Sequence, residues 1–440
     1  GTGGGSVAEI LGRGQQKTYP DVLAWLRAKG LEIPDSASGS QGGTLAIELT
    51  GLASSADGVV LARTTTPSGA GRAGLAYPAP RAQDLATESA VLYGLRENAS
   101  DRTNLALLSG ATNGTTTLRV TLVSGSTSFV LPETFSLEPG EWLQVDSVLS
   151  RAGLTSGWAV VERVSGPGPF WAYAVFNDAG TNDGSYVAPS RPVRPAETQV
   201  VPAVVETPTF ESEVVLANPG TSPVTARLLW VETLATGKPR RFEAAEPLAA
   251  GEQKILGSFV HRLRAGVPSI GARGGRYSGA LFVTFETPAG RKAPGYAGAR
   301  TAAPADGGGA YGLFTPGTGL AECAFHEAWL FGLRQDDSAR TNLALVNVEP
   351  DGGPITLRWE AFDATAGRRI GASRDLVLGP GEWRQVDGVL GDFLLRAGYL
   401  KVSRVSGNGR FLAYAVLNDG PAPGGPGTHD GSYVPMEAAE

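Results

Sequence analysis

Along most of the chain apolar and polar residues alternate over short runs, the period of a strand with one buried face, and the runs are enriched in β-branched and aromatic side chains. "RTNLALLS" (102–109), "TTLRVTLVS" (116–124), "EWLQVDSVL" (141–149), "GWAVVERVSG" (157–166) and "PFWAYAVFND" (169–178) show it most clearly. The breaks hold turn-formers: "PGE" at Pro139 and Pro380, "NG" at Asn113, "GPG" at Gly166, and "DG" at Asp183 and Asp430. The pattern predicts an all-β protein of tandem antiparallel β-sandwich modules, Ig-like or Greek-key in type. One short helical turn is expected in each, clearest at "DVLAWLRAKG", where Val22, Leu23 and Leu26 share a face and Gly30 ends the helix.

The runs recur. "LYGLRENASDRTNLALLS" at 92–109 returns as "LFGLRQDDSARTNLALVN" at 330–347, so that Arg102 and Arg340 lie 238 positions apart. The match continues through "PGEW", "RVSG" and "AYAV" to a final "DGSYV". This B repeat is assigned to 86–195 and 325–440. A diverged A repeat occupies 198–316, and "AEILGRGQQKTYPDVLAWLRAKG" near the start aligns with its "AEPLAAGEQKILGSFVHRLRAG", which makes 1–81 an incomplete A repeat. The missing opening half is expected to be about 45 residues with two strands. Aromatic cores are expected around Trp142, Phe170, Tyr173 and Phe176 in one B repeat and Trp383, Phe411, Tyr414 and Leu417 in the other. Because i and i+3 face opposite sides of a strand, some of these must pack outside their own core or be displaced by a bulge.

Composition supports folded cores joined by many tight turns. The chain has 440 residues, enough for several domains, with 61 Gly and 30 Pro among 42% hydrophobic residues. A net charge of -6 with no dense basic patch argues against nucleic acid as a partner, and no apolar run is long enough to span a bilayer. Cys323 is the single cysteine, expected in a core, and its solitude excludes an internal disulfide.

Raw material for chemistry is scarce. His261, His326 and His429 are the only histidines, and none sits in a catalytic motif. The loops "NDAGTNDGSY" and "NDGPAPGGPGTHDGSY" place Asp178, Asp183, Asp419 and Asp430 as candidate Ca²⁺ ligands. The competing reading, which is favoured, is a Gly-rich connection in which Asp-Gly turns and side-chain oxygens satisfy backbone N–H groups. Arg102 and Asn104, repeated as Arg340 and Asn342, are the most faithfully repeated polar group. They read as structural, the arginine buttressing an acid and the asparagine bonding the loop backbone. The A repeat has Glu211 and Glu213 at that place, so a contact between Arg102 and these acids of a neighbouring repeat is conceivable.

The combination of "GLR", "RTNLAL", "PGEWxQVD" and "AYAVxND…DGSYV" resembles uncharacterised tandem β-sandwich repeat modules in secreted and surface proteins of high-GC bacteria. The resemblance carries no catalytic motif. It implies a secreted or cell-surface protein. The incomplete first repeat, whose sheet edges need cover, supports the leading expectation: a structural or adhesive, non-catalytic protein that needs no cofactor and associates with itself or with another surface protein. Tandem sandwiches are expected to form a rod or polymer, with a donated strand completing the first repeat. A carbohydrate- or protein-binding accessory module is the alternative, and a Ca²⁺-dependent enzyme a distant third.

Overall fold

The computed structural model describes residues 5–34, 42–52, 58–68, 71–190, 196–421, 427–428 and 430–439. The fold is all-β: antiparallel sheets, with two short α-helices among the described residues. Neither helix is long and apolar enough to cross a membrane.

In the first B repeat, one sheet is Gly184–Val187, Phe170–Asp178, Asp101–Ser109 and Trp142–Val145 in that order. The facing sheet is built from Ser89–Arg96, Ser156–Ser165, Thr116–Ser124 and Thr127–Val130. Phe170, Ala172, Ala174 and Phe176 alternate inward from one strand and close on Leu118, Val120 and Leu122 of the other sheet. Each large side chain so buried contributes about 1.5–3 kcal/mol. The second B repeat copies this with Gly431–Pro435, Phe411–Asp419, Ala339–Asn347 and Trp383–Val386 against Arg369–Leu378, Ile355–Asp363, Ala397–Ser406 and Glu327–Arg334.

The expected aromatic cores need correction. Phe170, Phe176, Phe411 and Leu417 are core, but Trp142 and Tyr173 hydrogen-bond each other, Nε1 donating to Oη at 3.1 Å, on the outer face of their sheet. Trp383 and Tyr414 repeat that pair at 3.1 Å and are buried against the A repeat, not in their own sandwich. The two-residue period of the strand decides this, because Tyr173 falls between the inward Ala172 and Ala174.

The complete A repeat forms one continuous sheet. Its path runs Arg240–Leu248, Val224–Glu232, Tyr277–Glu286, Gln199–Glu206, Glu211–Ala217, Tyr296–Pro304 and Ala310–Pro316. Gln199–Glu206 and Glu211–Ala217 pair only at Glu206 and Glu211, and there the sheet folds over into two layers around Trp230, Leu281, Val283 and Phe285. The helix Phe259–Gly266 packs on that corner, burying Phe259, Val260 and Leu263. The stretch 198–243, where the sequence suggested two strands, holds Gln199–Glu206, Glu211–Ala217, Val224–Glu232 and the start of Arg240–Leu248; a fifth strand, Gln253–Leu256, leads into the helix.

The first repeat is sparse by comparison. Asp21 caps its helix, Val22–Ala28, by accepting from the Ala24 N–H at 2.9 Å, and Gly30 follows at φ +94°. Of that helix only Leu26 is buried. Leu61–Ser68 and Gly71–Pro78 form a two-stranded hairpin, a structure too small to be stable alone. Contacts with the other repeats hold it in place.

Candidate functional site

One strand near the end of every repeat runs to one place. Gly71–Pro78 and Gly184–Val187 touch, as do Gly184–Val187 and Ala310–Pro316, Ala310–Pro316 and Gly431–Pro435, and finally Gly431–Pro435 and Gly71–Pro78. The four strands thus form a closed circuit, and the first and last repeats of the chain are neighbours. That corrects the expected rod. Equivalent glycines permit the approach: a Cβ on Gly184 would lie 2.6 Å from Leu75 Cδ2, and one on Gly431 would lie 2.8 Å from Leu313 Cδ2. Between the strands is a cavity of about 230 Å³ walled mainly by Leu75, Tyr186, Leu313, Phe314 and Tyr433.

The polar residues at this junction join one repeat to the next. Gly312 donates its N–H to Asp183 Oδ2 at 2.8 Å, while Ser185 Oγ donates to the Gly312 carbonyl at 3.1 Å. Thr181 Oγ1 donates to the Ala310 carbonyl and Ala310 N–H to Asp178 Oδ2, both at 3.0 Å. The last B repeat makes corresponding contacts with the first A repeat. Gly74 N–H donates to Asp430 Oδ2 at 2.7 Å, Ser432 Oγ to the Gly74 carbonyl at 3.2 Å, and Thr428 Oγ1 to the Arg72 carbonyl at 2.5 Å. Arg300 and Arg63 complete the pairs by donating from Nε to Ser185 and Ser432, at 3.4 and 2.8 Å.

Asp183 and Asp430 are each 1% exposed, and among the described residues the Oδ1 of each has no hydrogen-bond partner. Burial raises the Asp183 carboxyl to about 7, against the pull of the Gly312 N–H and Arg300. Burial also raises Asp430 well above the usual carboxylate range. The negative charge of Asp183 adds to that rise, opposed by the Gly74 N–H and Arg63.

Asp178 and Asp419, also considered as Ca²⁺ ligands, spend their oxygens on the protein. Asp178 Oδ1 accepts from the N–H groups of Gly180 and Thr181 at 2.9 and 2.8 Å, and Asp419 Oδ2 accepts from Thr428 N–H at 2.7 Å. Among the described residues no group of three or more His, Cys, Asp or Glu is placed to hold a metal ion. The turn before Gly184 puts Asn182, not the Asp-Gly pair, in the left-handed region at φ +58°. His429 lies outside the described residues.

Asn104 and Asn342 bond loop backbone as expected, each Oδ1 accepting at 3.1 Å, from Ser147 N–H and Gly388 N–H. Those loop residues are left-handed, at φ +46° and +56°. Arg102 instead donates to Asn182 of its own repeat, and Arg340 to the carbonyls of Asp419 and Gly420 at 3.1 Å. The conceivable contact of Arg102 with Glu211 or Glu213 is not made. Arg96 takes Glu213, from a side chain 5% exposed and with its guanidinium 4.4 Å from the Phe176 ring centre.

Sequence reasoning also passed over a glutamine at equivalent positions of the two A repeats. Gly94 N–H donates to Gln253 Oε1 at 2.7 Å, and Gly332 N–H to Gln16 Oε1 at 2.8 Å. Both glycines sit at φ near +80°, +81° and +74°, inside a bulge of the first strand of their B repeat. The aligned "GQQK" and "GEQK" were the available signal. Cys323 is buried, as expected, and burial pushes its thiol up to about 12, which makes it a poor nucleophile.

No family model and no curated protein matches the chain.

What the geometry accomplishes chemically is adhesion between repeats. The carboxylates, hydroxyls and glutamines at these junctions are used on backbone groups, most of them belonging to a neighbouring repeat.

Proposed function

We propose that the protein is a non-catalytic structural or adhesive component of the bacterial cell exterior. In this reading the chain is a secreted or surface-attached building block that associates with itself or with another surface protein. The observation that carries the reading is the junction, where repeated Asp, Ser and Thr side chains are committed to holding the repeats together. A closed arrangement of sandwiches suits assembly, and the two serines that line its small apolar cavity, Ser185 and Ser432, have their hydroxyls committed to the backbone carbonyls of Gly312 and Gly74.

The rival reading, a carbohydrate-binding accessory module, needs exposed aromatic platforms. All eight tryptophans are buried or half-buried. Electron microscopy of the protein taken from its native source tests the proposal. Ordered multimers or fibres are expected, whereas monodisperse single particles that bind a glycan array would contradict it.

A further inference from the structure

The four strands of the junction leave space between them. Gly71–Pro78, Gly184–Val187, Ala310–Pro316 and Gly431–Pro435 are each an edge strand of their own sheet, and among the described residues they touch without pairing with one another. Edges that converge in this way lack the ladder hydrogen bonds that set strand spacing in a closed barrel. Leu75 and Leu313 reach across toward Gly184 and Gly431 and fill part of the gap. About 230 Å³ remains.

The walls of that space are nearly all apolar. Leu75 comes from the first A repeat, Tyr186 from the first B repeat, Leu313 from the complete A repeat and Tyr433 from the last B repeat, with Pro78 and Pro316 at equivalent positions. The two serines in the wall are spent. Ser185 Oγ donates to the Gly312 carbonyl and accepts from Arg300 Nε, and Ser432 Oγ donates to the Gly74 carbonyl and accepts from Arg63 Nε. Tyr186 is hydrogen-bonded to Trp171, and burial raises the hydroxyls of Tyr186 and Tyr433 above their ordinary range, which keeps both uncharged. Asp183 and Asp430 stand one residue before the lining Gly184 and Gly431 and do not themselves line the cavity.

Size and surroundings define what fits. Water is poorly held where it lacks two to four polar partners, and an apolar cavity of about 150 Å³ stays dry and takes up benzene. A void lowers stability in proportion to its volume, so an occupant that restores contacts is favoured. Leu75, Tyr186, Leu313 and Tyr433 are half-buried, which leaves a way in from solvent.

We infer that the junction is a binding site for a small uncharged apolar molecule, a single ring bearing a short alkyl chain or a compact branched hydrocarbon. Because the walls come from all four repeats, the ligand touches every one of them and is bound only by the closed circuit. It therefore acts as a keystone: by mass action, occupancy shifts the chain toward closure. This site goes beyond the structural reading and stands independently of it, since closure of one chain and assembly of many are separate events.

The test titrates the full 440-residue chain with toluene, a probe of that class, by calorimetry, and follows hydrogen exchange with and without it. One saturable site is expected. Exchange at 73–77, 184–187, 311–315 and 431–434 should slow at least threefold, and melting should rise by about 2 °C at about thirty times the dissociation constant. Leu75→Trp with Leu313→Trp fills the cavity and should weaken toluene binding more than tenfold. Exchange in the unaltered chain locates the probe even if this variant fails to fold. Benzoate and benzylammonium should bind at least tenfold more weakly than toluene, because the walls offer neither charge a partner. No saturable binding of toluene would overturn the inference. So would protection confined to another part of the chain, or a tryptophan pair that folds and binds toluene as the parent does. Benzylammonium binding more tightly than toluene would also overturn it, by placing the ligand on Asp183 and Asp430.

Discussion

Replacing Arg96 by methionine is expected to cost about 3–5 kcal/mol, whereas the same change at the equivalent Arg334 should cost under about 1 kcal/mol. The residues match in sequence and differ in partner. Arg96 is buried between repeats, where it binds Glu213 and lies over Phe176. Without it a carboxylate with a side chain only 20% exposed loses its countercharge. Arg334 and Asp336 are a local pair with the arginine 35% exposed, which solvent screens. Chemical denaturation of the two variants measures the difference. Adding Glu213→Leu to Arg96→Met should recover much of the loss, because removing both buried charges is far less costly than removing one. Equal effects of the two arginine changes would mean that Arg96 does not join the repeats as described.

The second large effect is a pH dependence centred on Asp183 and Asp430. Both carboxyls have folded values above their unfolded ones, so across the window between them the folded chain holds more protons than the unfolded chain. Their contribution to stability is therefore fully present below about pH 4. It declines as pH rises to about 7 for Asp183, and further upward for Asp430. Arg300 and Arg63 face the pair and temper the trend, while Asp178 reinforces it at Asp183.

Replacing both by asparagine preserves the acceptors for Gly312 and Gly74 and removes the charge. Melting of this double variant at pH 8 should rise by several degrees, with little change at pH 4, on the scale of a few kcal/mol at the higher pH. A double variant that melts lower than the parent at pH 8, or a parent whose stability climbs between pH 5 and 8, would contradict a protonated pair at the junction.

Much of the architecture is legible in the alternation of side chains, because strand period and turn chemistry are local. The half-buried strand at 170–178 and the capped helix beginning at Val22 follow from a few residues each. Closure of the repeats is not local. It depends on Gly184 and Gly431 admitting leucines from another repeat and on Asp183 and Asp430 bonding backbone more than a hundred positions away. A contact of Arg102 between repeats was conceivable because the A repeat has Glu211 and Glu213 at the matching place. The register of Arg102 opposite Asn177 places it beside the loop of its own repeat, and Arg96, in the preceding strand, does the joining. The number of strands in the opening stretch of the A repeat was also hidden, in part because Arg240–Leu248 is an edge strand with a mixed pattern of burial.

The closed circuit of repeats is the claim on which the rest depends, and small-angle X-ray scattering of the isolated chain tests it directly. A compact body of 440 residues has a radius of gyration of about 22 Å, and four sandwiches end to end would give roughly 40 Å. A value near the first, with a compact distance distribution, is predicted. A value near the second, with the long tail of a rod, would contradict the contact between the first and last repeats.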